Sequence, residues 1–333
     1  MKRLLLRRLL LVPIQALGVV SIAFILLHLL PGNPAYLIAG PTAPPSRIRQ
    51  IIAQLGLNKS LPVQYYDYIS QVVRGNLGVA FSTGNPVMKD IAQRGPATLT
   101  LITLAMVGVA IISLGLTTII IMDRGQVARR FAAIYSFIAG ALPDFWVGLG
   151  LIFVFYFKFG IAAAPSGQFS PNFVIPSVTG IAPIDALIAG NVSACFDAVS
   201  HLVLPVVTLV VVYSGFVVRI SAAAANRTVR SEFLEFAMGW GIAPWRRAYY
   251  AIRHDMPAFV TALGAVYAAL LGGAVLVETV FSWGGLGQYA VGAIQVDDTA
   301  AVEGFVIATG MFVVLVYTAI DVLNLLLDPR LRR

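Results

Sequence analysis

Residues 97–122 read ATLTLITLAMVGVAIISLGLTTIIIM, and this run contains no charged side chain. An α-helix needs about 20 apolar residues to cross the roughly 30 Å of hydrocarbon in a bilayer. A helix also satisfies its own backbone hydrogen bonds, which lipid cannot do for it. The run therefore predicts a helix that crosses a membrane.

The same apolar character extends over the whole chain of 333 residues. Hydrophobic residues make up 59% of it and charged residues only 11%, whereas a soluble domain carries roughly a quarter charged residues. The net charge of +8 does not indicate nucleic acid, because the basic residues stand beside apolar runs rather than on one water-facing surface. We therefore predict an integral protein of the lipid bilayer that does not bind nucleic acid.

Six apolar runs are long enough to be spans, and they cover residues 9–30, 97–122, 131–157, 202–222, 257–281 and 304–327. We therefore predict an all-α, polytopic membrane protein with six transmembrane helices. The chain divides into three parts. Residues 1–30 form a tip and the first helix, residues 31–96 form an extracytoplasmic segment, and residues 97–333 form a five-helix core. Within the extracytoplasmic segment, residues 47–55 and 64–73 should form short helices. Residues 160–200 are too mixed to be a span and could be partly re-entrant.

Orientation follows from the basic residues, because short basic loops stay in the cytoplasm. Sixteen of the 23 Lys and Arg residues flank one set of span ends. They are Lys2, Arg3, Arg7, Arg8, Arg124, Arg129, Arg130, Arg219, Arg227, Arg230, Arg246, Arg247, Arg253, Arg330, Arg332 and Arg333. We therefore expect a multi-pass protein of the inner (plasma) membrane with both termini in the cytoplasm.

The cytoplasmic loop at about 223–256 has a pattern of its own. Its apolar residues follow the i, i+3, i+4, i+7 spacing of a helix stripe and are Phe233, Phe236, Ala237 and Trp240. Glu232 and Glu235 lie off the stripe, Gly239 and Gly241 interrupt the helix, and Pro244 suits the first turn of a new helix. Two interpretations remain open: a helix that lies in the lipid interface, or one that docks into a groove on a cytoplasmic partner.

Residues 232–241 resemble the Glu-Ala-Ala-type loop of ABC importer permeases, which contacts the ATPase subunits. Other segments resemble the B-type permease of dipeptide, oligopeptide and nickel importers, and they occur in the family's order. They are Leu-Leu-Pro-Gly-Asn-Pro at 29–34, residues 55–65, Arg-Gly-Asn-Leu-Gly at 74–78, Pro-Asp-Phe-Trp-Val-Gly at 143–148, residues 278–287 and Leu-Asp-Pro-Arg-Leu-Arg at 327–332.

This resemblance implies the type I ABC importer permease fold. It also implies a second, homologous permease subunit, two cytoplasmic ATPase subunits and an extracytoplasmic solute-binding protein. ATP and Mg would bind to the ATPases, and no cofactor to this chain. Independently, the sequence lacks a Gly-x-x-x-x-Gly-Lys-[Ser/Thr] phosphate loop, so we expect no enzyme activity from this chain.

In the family's pattern, the coupling-loop residues of this chain are Glu232, Phe233, Glu235, Phe236, Ala237, Gly239, Trp240, Gly241, Arg246 and Arg247. The chain departs from that pattern, because Met238 and Trp240 stand where basic residues are usual and Gly239 replaces an alanine. Docking of the ATPases should therefore be more apolar than is usual.

Asp144 lies near the middle of the third predicted span, where the family usually has serine. An ionised carboxylate at that depth costs about 2.5–3.5 kcal/mol, so it should face protein or water. With Trp146 it is a candidate for the translocation path, where it could attract a cationic group such as a peptide amine. Alternatively, it is protonated and hydrogen-bonded to a neighbouring helix, or sits at a break caused by Pro143.

The remaining polar residues suggest no further chemistry. Glu278, near the outer end of its span, should reach polar surroundings and act structurally. Neither a metal site nor a catalytic constellation is evident. Peptides are the expected substrate, with nickel chelates, glutathione and oligosaccharides as alternatives. A secondary transporter or a structural subunit of a membrane complex are the rivals from other classes.

Overall fold

A computed structural model describes residues 2–29, 43–54, 56–122 and 127–327. The described part is helical. Its helices are α1 (Lys2–Leu29), α2 (Pro45–Gln54), α3 (Leu61–Val73), α4 (Val87–Met122), α5 (Val127–Ala141), α6 (Asp144–Leu151, continued by a π-helix over Ile152–Lys158), α7 (Ala182–Ile188), α8 (Val192–Val229), α9 (Glu232–Gly239), α10 (Pro244–Val280), α11 (Leu286–Gln295) and α12 (Thr299–Leu327).

Four described helices, α4, α8, α10 and α12, are long and apolar enough to cross a membrane, and the α5–α6 pair would make a fifth. The helix α1 covers the first predicted span as far as Leu29. An all-helical membrane protein is confirmed. The count of six spans stays a prediction.

The third predicted span is not one continuous helix. Helix α5 ends at Ala141, α6 begins at Asp144, and the two are bent by 101° relative to each other. Pro143 has no N–H and disfavours the helical conformation of the residue before it. The predicted span over 131–157 therefore contains the break at Pro143 that the sequence left open as an alternative, and Asp144 lies at the start of a helix.

The core forms where α4, α8 and α10 pack together around buried side chains such as Leu101, Leu209 and Leu270. Small residues let helices approach closely. Gly215 of α8 lies so close to α5 that an added Cβ would be only 2.5 Å from Ala139 Cβ. Such close approach is the usual route to helix association in lipid, where apolar burial gives little driving force.

Helices α2 and α3 lie where the sequence predicts two short helices, at about 47–55 and 64–73. Asp298, buried at the start of α12, accepts hydrogen bonds from the backbone N–H and the hydroxyl of Ser82, at 2.8 and 2.6 Å. Within residues 160–200, burial would raise the pKa of Asp185, but hydrogen bonds from Thr179 and Gly180 outweigh it and lower that pKa. A carboxylate thus fixes each of these two segments, Asp298 the one at Ser82 and Asp185 the one at Thr179 and Gly180.

Glu278 has polar surroundings, as the sequence predicts, but they are groups of the protein and not solvent. Its exposed fraction is 0%. One carboxylate oxygen accepts from Thr98 Oγ1 at 2.5 Å, and the other accepts from the backbone N–H groups of Gly287 and Gln288 at 2.8 and 3.1 Å. Thr98 Oγ1 in turn accepts from Leu286 N at 2.8 Å. The carboxylate therefore caps the first turn of α11 and joins it to α4 and α10.

Replacing Thr98 with valine should destabilise this junction. The change removes a donor to Glu278 and an acceptor for Leu286 N, and an unsatisfied buried polar group costs about 1–3 kcal/mol. We expect a lower thermal unfolding midpoint of the purified protein in detergent. Thr100→Val is the matched control, because Thr100 only donates to the Pro96 carbonyl of its own helix. Equal midpoints for both variants would contradict the structural role of the junction.

Candidate functional site

The loop at about 223–256 has the helix, glycine turn and helix that its sequence predicts. Gly241 adopts φ +70°, a left-handed conformation that costs other residues energy. Its N–H donates to the Met238 carbonyl at 2.9 Å, and Ile242 N donates to the Ala237 carbonyl at 3.1 Å. This pair of bonds is the Schellman ending of a helix. Pro244 then begins α10, as expected.

One face of α9 is buried against the rest of the chain. Leu234 and Ala237 are 4% and 3% exposed, and α9 contacts α8 and α10. The sequence placed Ala237 on the same stripe as the aromatic residues and did not single out Leu234. Leu234 and Ala237, which are three residues apart, instead share the buried face and anchor α9 to its own chain.

The aromatic residues of α9 and the turn lie on the other face. Phe236 and Trp240 are 66% and 75% exposed, and their rings contact each other with centroids 5.7 Å apart. Phe233 is half exposed and touches Tyr250 edge-on. Exposed aromatic side chains grouped in this way mark an interaction surface. We call Phe233, Phe236 and Trp240 the aromatic face.

Charged residues flank the aromatic face in the sequence. Glu232 and Glu235 are exposed in the first turn of α9, where the helix dipole favours negative charge. Arg246 lies over the Trp245 ring at 5.1 Å, and Arg247 follows it in the first turn of α10. Charged residues beside an apolar patch are typical of helix docking surfaces.

A hydrogen bond closes the base of the loop. Thr228 Oγ1, near the end of α8, donates to Asp255 Oδ1 in α10 at 2.8 Å. The two long helices are therefore joined directly below α9, so that α8, α9 and α10 form one packed unit.

Asp144 lies at the start of α6, beyond the break at Pro143. Its Oδ1 accepts from the N–H of Phe145 at 2.8 Å, and its Oδ2 accepts from Tyr213 Oη of α8 at 3.4 Å. Gly273 of α10 faces the same atoms, since a Cβ there would lie 2.5 Å from Asp144 Oδ2 and overlap Tyr213 Oη. The carboxylate is half buried. It thus occupies a niche between three helices.

Trp146 is 58% exposed, and no recorded hydrogen bond or ring contact joins it to Asp144. The candidate residues therefore fall into two groups, the loop at 232–247 and the niche at Asp144. Sequence reasoning missed Tyr213 and Gly273, although the Gly272-Gly273 pair in an apolar span was a signal for close helix approach.

Family models match both parts of the chain. The model described as "Binding-protein-dependent transport system inner membrane component" matches residues 107–333. The N-terminal model of the same systems' membrane component matches residues 1–102. The chain belongs to this family. It is therefore a membrane component of a binding-protein-dependent transport system, and not a catalytic ATPase.

Curated relatives agree over nearly the full length. A protein described as a probable D,D-dipeptide transport system permease of Escherichia coli (strain K12) is 36% identical over 319 residues, covering 95% of this chain and 93% of the relative. The dipeptide transport system permease protein of the same strain is 30% identical, with 100% and 99% covered. The di/tripeptide transport system permease protein of Pseudomonas aeruginosa (strain UCBPP-PA14) is 31% identical, with 95% and 94% covered.

Proposed function

We propose that this chain is the permease subunit of an ABC importer for dipeptides and oligopeptides. It would form the translocation path with a second permease, take substrate from an extracytoplasmic binding protein, and be driven by two cytoplasmic ATPases that bind ATP and Mg. The full-length similarity to three permeases named for dipeptides or tripeptides carries this proposal. The basic span ends support six spans with both termini in the cytoplasm.

The aromatic face of α9 is the proposed contact with an ATPase. Its buried side, Leu234 and Ala237, fixes α9 to α8 and α10, and the Thr228–Asp255 hydrogen bond joins those helices below it. A push on α9 would thus move two long helices as a unit. Helix α8 has 38 residues and is therefore about 57 Å long, so it connects the loop to the Asp144 niche.

The niche gives the motion a target. Tyr213 and Gly273 belong to α8 and α10, whereas Asp144 belongs to α6. A shift of α8 and α10 together, relative to α6, would open or close the space around the Asp144 carboxylate. Asp144 would then meet substrate in the path and favour the ammonium group of a peptide, as an opposite charge does in a medium of low dielectric constant.

Asp144→Ser should therefore change which peptides are transported. We expect uptake of peptides with a free N-terminal amine to fall several-fold, because one charge–charge contact of about 1 kcal/mol is lost. Uptake of N-acetylated peptides should change little. Competition assays in reconstituted vesicles measure both. The control is Tyr213→Phe, which keeps the charge and removes one weak hydrogen bond. An equal loss for both peptide types would contradict a role in amine binding.

Purification and reconstitution test the whole proposal. Affinity capture of this chain should isolate one second permease and two ATPase chains. Vesicles containing the complex, with the binding protein outside, should accumulate labelled dipeptide only when ATP and Mg are supplied. Isolation of the chain alone, with uptake driven by an ion gradient, would reject the proposal in favour of a secondary transporter.

A further inference from the structure

A basic cleft lies between the start of α5 and the end of α8, and none of its lining residues belongs to the aromatic face or to the Asp144 niche. Its volume is about 520 Å³. Four arginines, one amide and one methyl group line it: Arg129, Arg130, Ala133, Asn226, Arg227 and Arg230. Nothing in the proposed transport cycle uses this cleft.

Three of the four arginines of the cleft have no balancing carboxylate in the described part of the chain. Among the described residues, Arg129, Arg227 and Arg230 form no ion pair with a carboxylate. Within the described ranges, the Nε of Arg129 is buried without a hydrogen-bond partner. Burying part of a guanidinium without a partner costs free energy, so a bound anion would stabilise this arrangement.

The position of two of these arginines at the start of α5 adds to the free-energy cost of their unbalanced charge. Arg129 and Arg130 lie in its first turn, which contains no acidic residue. The N-terminal end of a helix carries partial positive charge, so the dipole disfavours cations there and favours an anion. The cleft therefore combines four guanidinium groups with a helix end of the same sign.

An apolar surface continues from the cleft along α5. Arg130, Ile134 and Phe137 follow i, i+4, i+7 spacing and share one face. Ile134 and Phe137 are exposed, as are Phe131 and Ile138 beside them. A ligand that fits both surfaces carries an anionic head on an apolar tail.

We propose that this cleft binds the phosphate head group of an anionic phospholipid, with an acyl chain along the exposed face of α5. Guanidinium groups bind phosphate through paired, charge-assisted hydrogen bonds, and basic pockets between membrane helices on the cytoplasmic side suit such head groups. The inference requires only that the chain lies in a membrane, so it stands independently of the proposed substrate.

Binding of short-chain phosphatidylglycerol to the detergent-purified complex, measured by native mass spectrometry, tests the site. Arg129→Gln combined with Arg227→Gln should lower the affinity about tenfold or more, since each arginine near an anionic lipid contributes roughly one kcal/mol. Arg219→Gln combined with Arg253→Gln removes the same charge outside the cleft and should change the affinity less than about twofold. Thermal unfolding of both variants shows whether they remain folded.

Four results would overturn the proposal. Equal loss of phosphatidylglycerol in both double variants would mean that only net charge matters. Equal binding of inorganic phosphate would show a free-anion site, and equal binding of phosphatidylcholine would show that the acyl chain alone binds. Photo-crosslinking from position 230 provides a further arm: adducts with phospholipid support the proposal, and adducts with an ATPase subunit reject it in favour of a protein contact.

Discussion

Replacing Trp240 with alanine is expected to weaken binding of the ATPase subunits by at least about 30-fold, because truncating an aromatic anchor at the centre of an interface costs 2 kcal/mol or more. Trp240 is 75% exposed, so its removal should leave the stability of the chain unchanged. The measurement is the dissociation constant of the ATPases for the permease pair in nanodiscs, together with ATP-driven uptake, which should fall in parallel.

Phe196→Ala is the matched control for this experiment. Phe196 is as exposed as Trp240, at 72%, but lies near the start of α8, at the end of that helix opposite the loop. Its loss should leave ATPase affinity unchanged. If Trp240→Ala kept full affinity and full uptake, the aromatic face would be assigned to the lipid interface instead, which is the alternative that the sequence left open.

Gly241→Pro is expected to lower uptake more than about tenfold while the protein still inserts into the membrane, since local strain of this kind costs on the order of 1–3 kcal/mol at each affected residue. Proline fixes φ near −65°, whereas Gly241 has φ +70°. The change also removes the hydrogen bond to Met238 and disfavours the near-helical conformation of Trp240. The backbone of the turn would have to adopt another conformation, and the aromatic face would then point in another direction relative to α10.

Gly241→Asn separates this effect from a simple loss of glycine, because asparagine accepts the left-handed conformation at lower cost than other residues. Uptake by Gly241→Asn should stay within about threefold of the parent. ATP hydrolysis measured alongside uptake adds a second readout. In Gly241→Pro, the rate of ATP hydrolysis should no longer depend on substrate. Normal uptake by Gly241→Pro would refute the proposed mechanical role of the turn.

Much of the architecture could be predicted because it depends on local properties. Apolar runs predicted the membrane helices, and Gly241 with Pro244 predicted the turn in the loop, since one suits positive φ and the other a first helical turn. The break at Pro143 was recognised only as an alternative, because a proline inside an apolar run either kinks or ends a helix, and the outcome depends on what packs around it.

The sequence by itself determined that the chain is helical, that it lies in lipid, and where the loop between α8 and α10 turns, since hydropathy, charge and backbone preference act over a few neighbouring residues. Only the tertiary structure decided that Leu234 and Ala237 anchor α9, that Glu278 is buried at a three-helix junction, and that Tyr213 and Gly273 enclose Asp144. The physical reason is that lipid and protein interior are equally apolar. Hydrophobicity therefore shows which residues leave water, whereas contacts between distant helices determine which of them meet.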